Sequence, residues 1–110
     1  MQISNGIYVG RPSTSAPTLV VYNISTPISM AYPSVSIICN DNQVGYHYVN
    51  NAGPYTTTQS IVDALNADAG TSSFGTYLKI GNLSIQLSIP SSVANELCPG
   101  GVITMIIEAD

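Results

Sequence analysis

Charge is what this sequence has least of. Asp, Glu, Lys and Arg make up 7% of its 110 residues, against roughly 25% in an average soluble domain. Arg11 and Lys79 are the only permanent cations, set against Asp41, Asp63, Asp68, Glu96, Glu108 and Asp110, for a net charge of −4. Nucleic-acid affinity rests largely on phosphate neutralisation, with a salt slope of about −0.9 per phosphate contacted. Two cations on an acidic chain exclude DNA or RNA as a partner on that ground, and a polybasic attachment to anionic lipid falls with it. Long apolar runs are missing too. The most apolar stretch, Val102 to Ile107, is interrupted by Thr104 and is far shorter than the roughly 20 residues that cross a bilayer. No membrane partner is expected.

Tryptophan is absent, and phenylalanine and histidine occur once each. His47 is therefore the only imidazole base on offer to a serine or cysteine nucleophile. It sits between Tyr46 and Tyr48 in a strand-like stretch, and no Gly-x-Ser-x-Gly elbow occurs in the chain. One histidine and two widely separated cysteines show none of the paired spacing of zinc sites. Asn40-Asp41-Asn42 lacks the ligand pattern and closing glutamate of a calcium loop, and Cys98-Pro99-Gly100-Gly101 lacks the lysine and following helix of a phosphate loop. Nor does the spacing of the six acids suggest a catalytic pair. The chain is expected to be no enzyme, with no catalytic residue, metal or cofactor.

The first fifteen residues, MQISNGIYVGRPSTS, have neither the basic start nor the apolar core of a signal peptide. Synthesis in a cytoplasm is expected, with Cys39 and Cys98 reduced and buried. A disulfide between them stays open if the product meets oxidising surroundings.

Strand patterning dominates what is present, and the chain reads as one domain over 1–110. Gln2 to Val9 alternates loosely, and Thr18 to Ser25 is rich in β-branched and aromatic residues. Val35, Ile37 and Cys39 alternate with Ser34, Ser36 and Ile38, which predicts a half-buried strand carrying Cys39 on its inner face. Asn40-Asp41-Asn42 is a turn, and Gln43 to Val49 returns as the second arm of a hairpin over 34–49. Val44, Tyr46 and Tyr48 share one of its faces, His47 and Val49 the other. Thr76 to Ile80 and Leu83 to Ile89 form a second hairpin around Gly81-Asn82, a turn of the positive-φ kind. Leu83, Ile85, Leu87 and Ile89 are its apolar face. The last strand is Val102 to Glu108, preceded by a loop with at most one helical turn near Val93 to Leu97.

One helix is expected near 59–69. Thr58 is its N-cap, Ile61, Val62 and Leu65 its apolar stripe, Asp63 an early acid suited to the helix dipole, and Gly70 its end. A helix this short needs a sheet to dock on, and the 83–89 face needs a cover. The fold class is thus mainly β, a sandwich or small barrel of about seven strands, with one helix packed on a sheet.

Tyr46, His47, Tyr48, Asn50 and Tyr55, with Asn51 beside them, form a candidate recognition surface. Tyrosine gives broad contact at low entropy cost, which suits a protein or a sugar. The scarcity of charge also needs a physical account, because monomers use charge to stay dispersed and to blunt strand edges. Interface centres are depleted of charge, so a charge-poor, strand-rich chain fits an assembly. Together with the segment YTTTQSIVDALNADAGTSSFGTYLKI, this composition resembles small virion proteins of tailed bacteriophages, such as capsid decoration, head-completion and tail components. The resemblance implies a non-catalytic structural subunit located in the virion, with itself or other virion proteins as partners. A glycan- or surface-binding adhesin domain using the Tyr46–Tyr55 region is the alternative expectation.

Overall fold

The alternating stretches pair into two antiparallel three-stranded sheets in the computed structural model, which describes residues 10–25 and 28–109 and the backbone of 2–3 and 7–8. In chain order the elements are β1 (Gln2–Ile3), β2 (Ile7–Tyr8), β3 (Thr18–Asn23), β4 (Pro33–Cys39), β5 (Asn42–Tyr48), α1 (Thr58–Ala67), a 3-10 turn (Thr71–Phe74), β6 (Thr76–Gly81), β7 (Ser84–Ile89), α2 (Ser91–Leu97) and β8 (Ile103–Ala109). Sheet I has the order β3-β7-β6 and sheet II the order β5-β4-β8, while β1 and β2 form a two-stranded ladder. The seven-strand, one-helix expectation is corrected on both counts. Among the described residues six strands build the two three-stranded sheets, beside two α-helices. The predicted continuous strand over 2–9 falls partly outside the described residues and otherwise breaks into the short β1–β2 ladder.

The architecture is sandwich-like. β3 lies close to β8, joining the sheets along one side, while α1 packs on β6 and β7 and the 3-10 turn packs on β5. Into the space between point Ile85, Leu87 and Ile89 from β7, Val35 and Ile37 from β4, and Ile103, Met105 and Ile107 from β8, none more than 2% exposed. The β4–β5 hairpin forms as predicted, and Asn40 takes the left-handed conformation (φ 56°) that Asn tolerates better than most residues. In the second hairpin the strand starts one residue late. Asn82-Leu83 makes the turn, Leu83 is 40% exposed instead of core-facing, and no residue of this turn has positive φ. A register shift between Lys79 and Gly81 takes up the extra residue.

Helix α1 begins one residue earlier than predicted. Thr57 is the N-cap, its hydroxyl accepting from Ser60 N–H at 3.0 Å while the Ser60 hydroxyl accepts from Thr57 N–H at 3.1 Å. This capping box satisfies two otherwise free donors. Thr58 is already helical, and its buried hydroxyl donates to the carbonyl of Asn82 at 2.6 Å, tying the helix start to the β6–β7 turn. The helix stops at Ala67, three residues before Gly70. Asp63 lies beyond the first turn and accepts from Gln59 instead. The stripe Ile61, Val62, Leu65 is buried on sheet I, as the pattern requires. From the same helix, the Asn66 carboxamide donates to the carbonyl of Tyr77 and accepts from its N–H, at 2.9 and 2.8 Å. Those two bonds occupy the backbone of edge strand β6 and block it against further pairing.

The reduced-thiol expectation is also corrected. Cys39 does point inward, opposite Ile103, but it is only partly covered while Cys98 is fully buried. The two are bonded, so neither cysteine is a free thiol. Gly101 makes this possible, since a Cβ there would come within 2.6 Å of the Cys98 Sγ. The bridge fastens the C-terminal end of α2 to the end of β4.

Candidate functional site

The register of the β4–β5 hairpin decides which side chains meet. Tyr46 lies opposite Ser36 and Tyr48 opposite Ser34, so both tyrosines stand on the outer face of sheet II. Their ring centroids are 6.4 Å apart and the planes are tilted by 44°. Ser34 and Ser36 are buried although they face outward. Being small, they leave room for the neighbouring rings to lie over β4. The Ser34 hydroxyl donates to the carbonyl of Glu108 across the sheet. Tyr32 precedes β4 with the same parity as Ser34 and supplies a third ring. Tyr32, Tyr46, Tyr48 and Asn50 line an open depression of about 390 Å³.

Of the five residues predicted for this surface, three come together: Tyr46, Tyr48 and Asn50. His47 is turned to the opposite face, where it pairs with Val35 and its ring sits 5.2 Å from Phe74. Gly45 gives that phenylalanine its place, because a Cβ at position 45 would meet the ring at 2.7 Å. Tyr55 is also elsewhere. Its backbone bridges Met30, its ring packs on the core, and its hydroxyl donates to the carbonyl of Asn51 at 2.7 Å. Tyr32 was missed, although its parity with Ser34 and Ser36 carries the signal.

Asn50 is held from below. Its N–H donates to Asp68 Oδ1 at 3.1 Å, while the N–H groups of Gly70 and Thr71 donate to Oδ2, both at 3.0 Å. Partial burial pushes the Asp68 carboxyl upward, but the donated hydrogen bonds outweigh it and hold the group below its ordinary 3.8. Nearby, the Tyr77 phenol donates to the carbonyl of Thr71, and burial, reinforced by the Asp68 charge, raises its pKa far above the usual value. Because the folded pKa of Asp68 is depressed, its contribution to stability is complete above pH 3.8 and is lost as pH falls through the folded value. Melting temperatures measured from neutral pH into acid should therefore fall less steeply below pH 3.8 for Asp68→Asn than for the parent. Identical acid limbs would show that Asp68 anchors nothing.

The outer face of sheet I is different in kind. Its cross-strand rows are Val21–Gln86–Leu78 and Leu19–Ser88–Thr76, and Leu19 and Leu78 are more than half exposed. Across all six strands of the two sheets only Lys79 and Glu108 are charged. Lys79 lies opposite the buried Ile85 near the end of edge strand β6, and β5 has neither charge nor proline. Among the described residues no three side chains of metal-ligating type cluster together, and no helix is long and apolar enough to cross a membrane. Comparison of the chain with protein families, curated proteins and solved structures found no match.

Proposed function

We propose that this chain is a non-catalytic structural subunit of a virion, of the capsid-decoration, head-completion or tail kind, acting through protein–protein interfaces with itself or with other virion proteins. The observation that carries the reading is the nearly charge-free surface of both sheets, with Leu19 and Leu78 exposed on the outer face of sheet I. Exposed strands of a free monomer are normally protected by charge, whereas the centre of an interface is depleted of it. Here the charges are placed mainly on turns, loops and helices: Arg11, Asp41, Asp63, Asp68 and Glu96. The edges are treated unequally as well. β6 is blocked by Asn66 and carries Lys79, whereas β5 bears only uncharged side chains.

Sedimentation at micromolar concentration tests the reading, alone and with capsid or tail lattices. Self-association or lattice binding is expected, and Leu19→Glu combined with Leu78→Glu should abolish it while leaving the melting temperature close to the parent's. A parent protein that stays monomeric and binds no such lattice would overturn the proposal.

A further inference from the structure

We infer that the depression formed by Tyr32, Tyr46, Tyr48 and Asn50 is a binding site for a neutral saccharide, a role separate from assembly. The chemistry of the lining points to the ligand class. Three phenols and one carboxamide surround about 390 Å³, and these groups both donate and accept hydrogen bonds. Aromatic ring faces receive the C–H faces of a sugar, and the Tyr32 and Tyr48 hydroxyls and the Asn50 amide meet its hydroxyl groups, the combination of flat apolar surface and a few placed polar groups that ligand sites use. Neither Arg11 nor Lys79 lines the depression, and no carboxylate does either. Phosphorylated and carboxylated ligands thus lack a counter-charge, and the net charge of −4 disfavours them further.

Shape narrows the choice. Tyr46 and Tyr48 stand two positions apart on one strand, an advance of about 6.7 Å, so their rings form a strip along the sheet. A strip suits an extended oligosaccharide better than a compact quaternary ammonium, which needs rings enclosing it. The site is also largely pre-formed. Tyr46 and Tyr48 belong to the β4–β5 ladder, and the backbone of Asn50 is fixed by Asp68. Little ordering entropy then opposes binding.

The test is a titration of the isotope-labelled full chain followed by amide NMR, using neutral gluco-, manno-, galacto- and N-acetylglucosamine oligosaccharides, with choline and a proline-rich peptide as separate arms. At least one oligosaccharide series should shift the amides of Tyr46, Tyr48 and Asn50 saturably, with a dissociation constant of roughly 0.1–10 mM for so open a site. Tyr46→Ala combined with Tyr48→Ala should weaken that binding at least about tenfold, and Glu96→Gln, on the exposed side of α2, should leave it unchanged. If the double variant fails to fold, Tyr32→Ala gives the same reading from a residue outside the strands. The inference is overturned if every oligosaccharide leaves these amides unmoved at tens of millimolar, if the shifts survive loss of the tyrosines, or if only choline or the peptide saturates the site.

Discussion

Loss of the Cys39–Cys98 disulfide is expected to destabilise the protein by about 4 kcal/mol, the chain-entropy value for a loop of this size. The bridge joins residues 59 apart in sequence, so it removes a large set of open conformations from the unfolded chain. It also acts where the fold has little else. Helix α2 is seven residues long and buries only Ala94, with Val93 and Leu97 partly covered. Its other ties are the Ser91 hydroxyl and the Asn95 amide, both donating to the carbonyl of Ser13. Once the bridge is gone, the segment from Pro90 to Val102 is held by those two bonds, by the buried Ala94 and by the two hydrogen bonds between Val102 and Asn40. A small domain has about 5–15 kcal/mol of stability in total, so the loss removes a large part of it. Urea unfolding of the parent, of the parent under reducing conditions and of Cys39→Ala with Cys98→Ala measures it. The expected fall in melting temperature is on the order of 15–30 °C. Equal midpoints in all three would mean that the bridge contributes nothing.

How far residues alone foretell this fold depends on whether the deciding contact is local. Ser84 to Ile89 announces itself because one face of the strand is buried and a slip of one residue would expose the whole apolar set. Ser34 to Cys39 shows the same apolar alternation, although its outer serines are covered as well. Three consecutive threonines, Thr56 to Thr58, each offer a capping hydroxyl. Only the distant Asn82 carbonyl, which takes up Thr58, leaves the cap to Thr57. The sequence of α2, SSVANEL, has a single fully buried residue and so no legible stripe. The absence of a secretory start predicts free thiols, whereas what joins the cysteines is spatial, the meeting of the α2 end with the end of β4.

The candidate site divides along the same line. Tyr46 and Tyr48 follow from hairpin parity, and so does the exclusion of His47, which the alternation itself placed on the other face. Tyr32 lies just outside a regular strand, ahead of Pro33, where a search for alternating runs does not look. Tyr55 is drawn away by its pairing with Met30, a contact spanning 25 positions in sequence that nothing near either residue announces.

A pair of leucines separates what the pattern promised from what the fold delivers. Leu65→Ala is expected to cost about 2–5 kcal/mol, the range for truncating a fully buried leucine. Its side chain is 0% exposed within the stripe that joins α1 to sheet I. Two neighbours hold the site open after truncation. The Thr71 hydroxyl is fixed to the Leu65 carbonyl at 2.7 Å, and the Asn66 amide is fixed to the backbone of Tyr77. The backbone around position 65 cannot collapse freely into the vacated space, and an unfilled cavity is what raises the cost of such substitutions. Leu83→Ala is the counterpart. Alternation puts Leu83 on the same buried face as Ile85, Leu87 and Ile89, but the turn leaves it 40% exposed. Its truncation should therefore cost no more than about 1 kcal/mol, since only part of the side chain leaves an apolar setting. Denaturant midpoints of the two variants, compared at equal slope, decide between the readings. Similar large losses would restore Leu83 to the core and with it a β7 strand that begins one residue earlier. A mild loss at position 65 would mean that α1 is peripheral and that the inner face of sheet I is covered chiefly by sheet II.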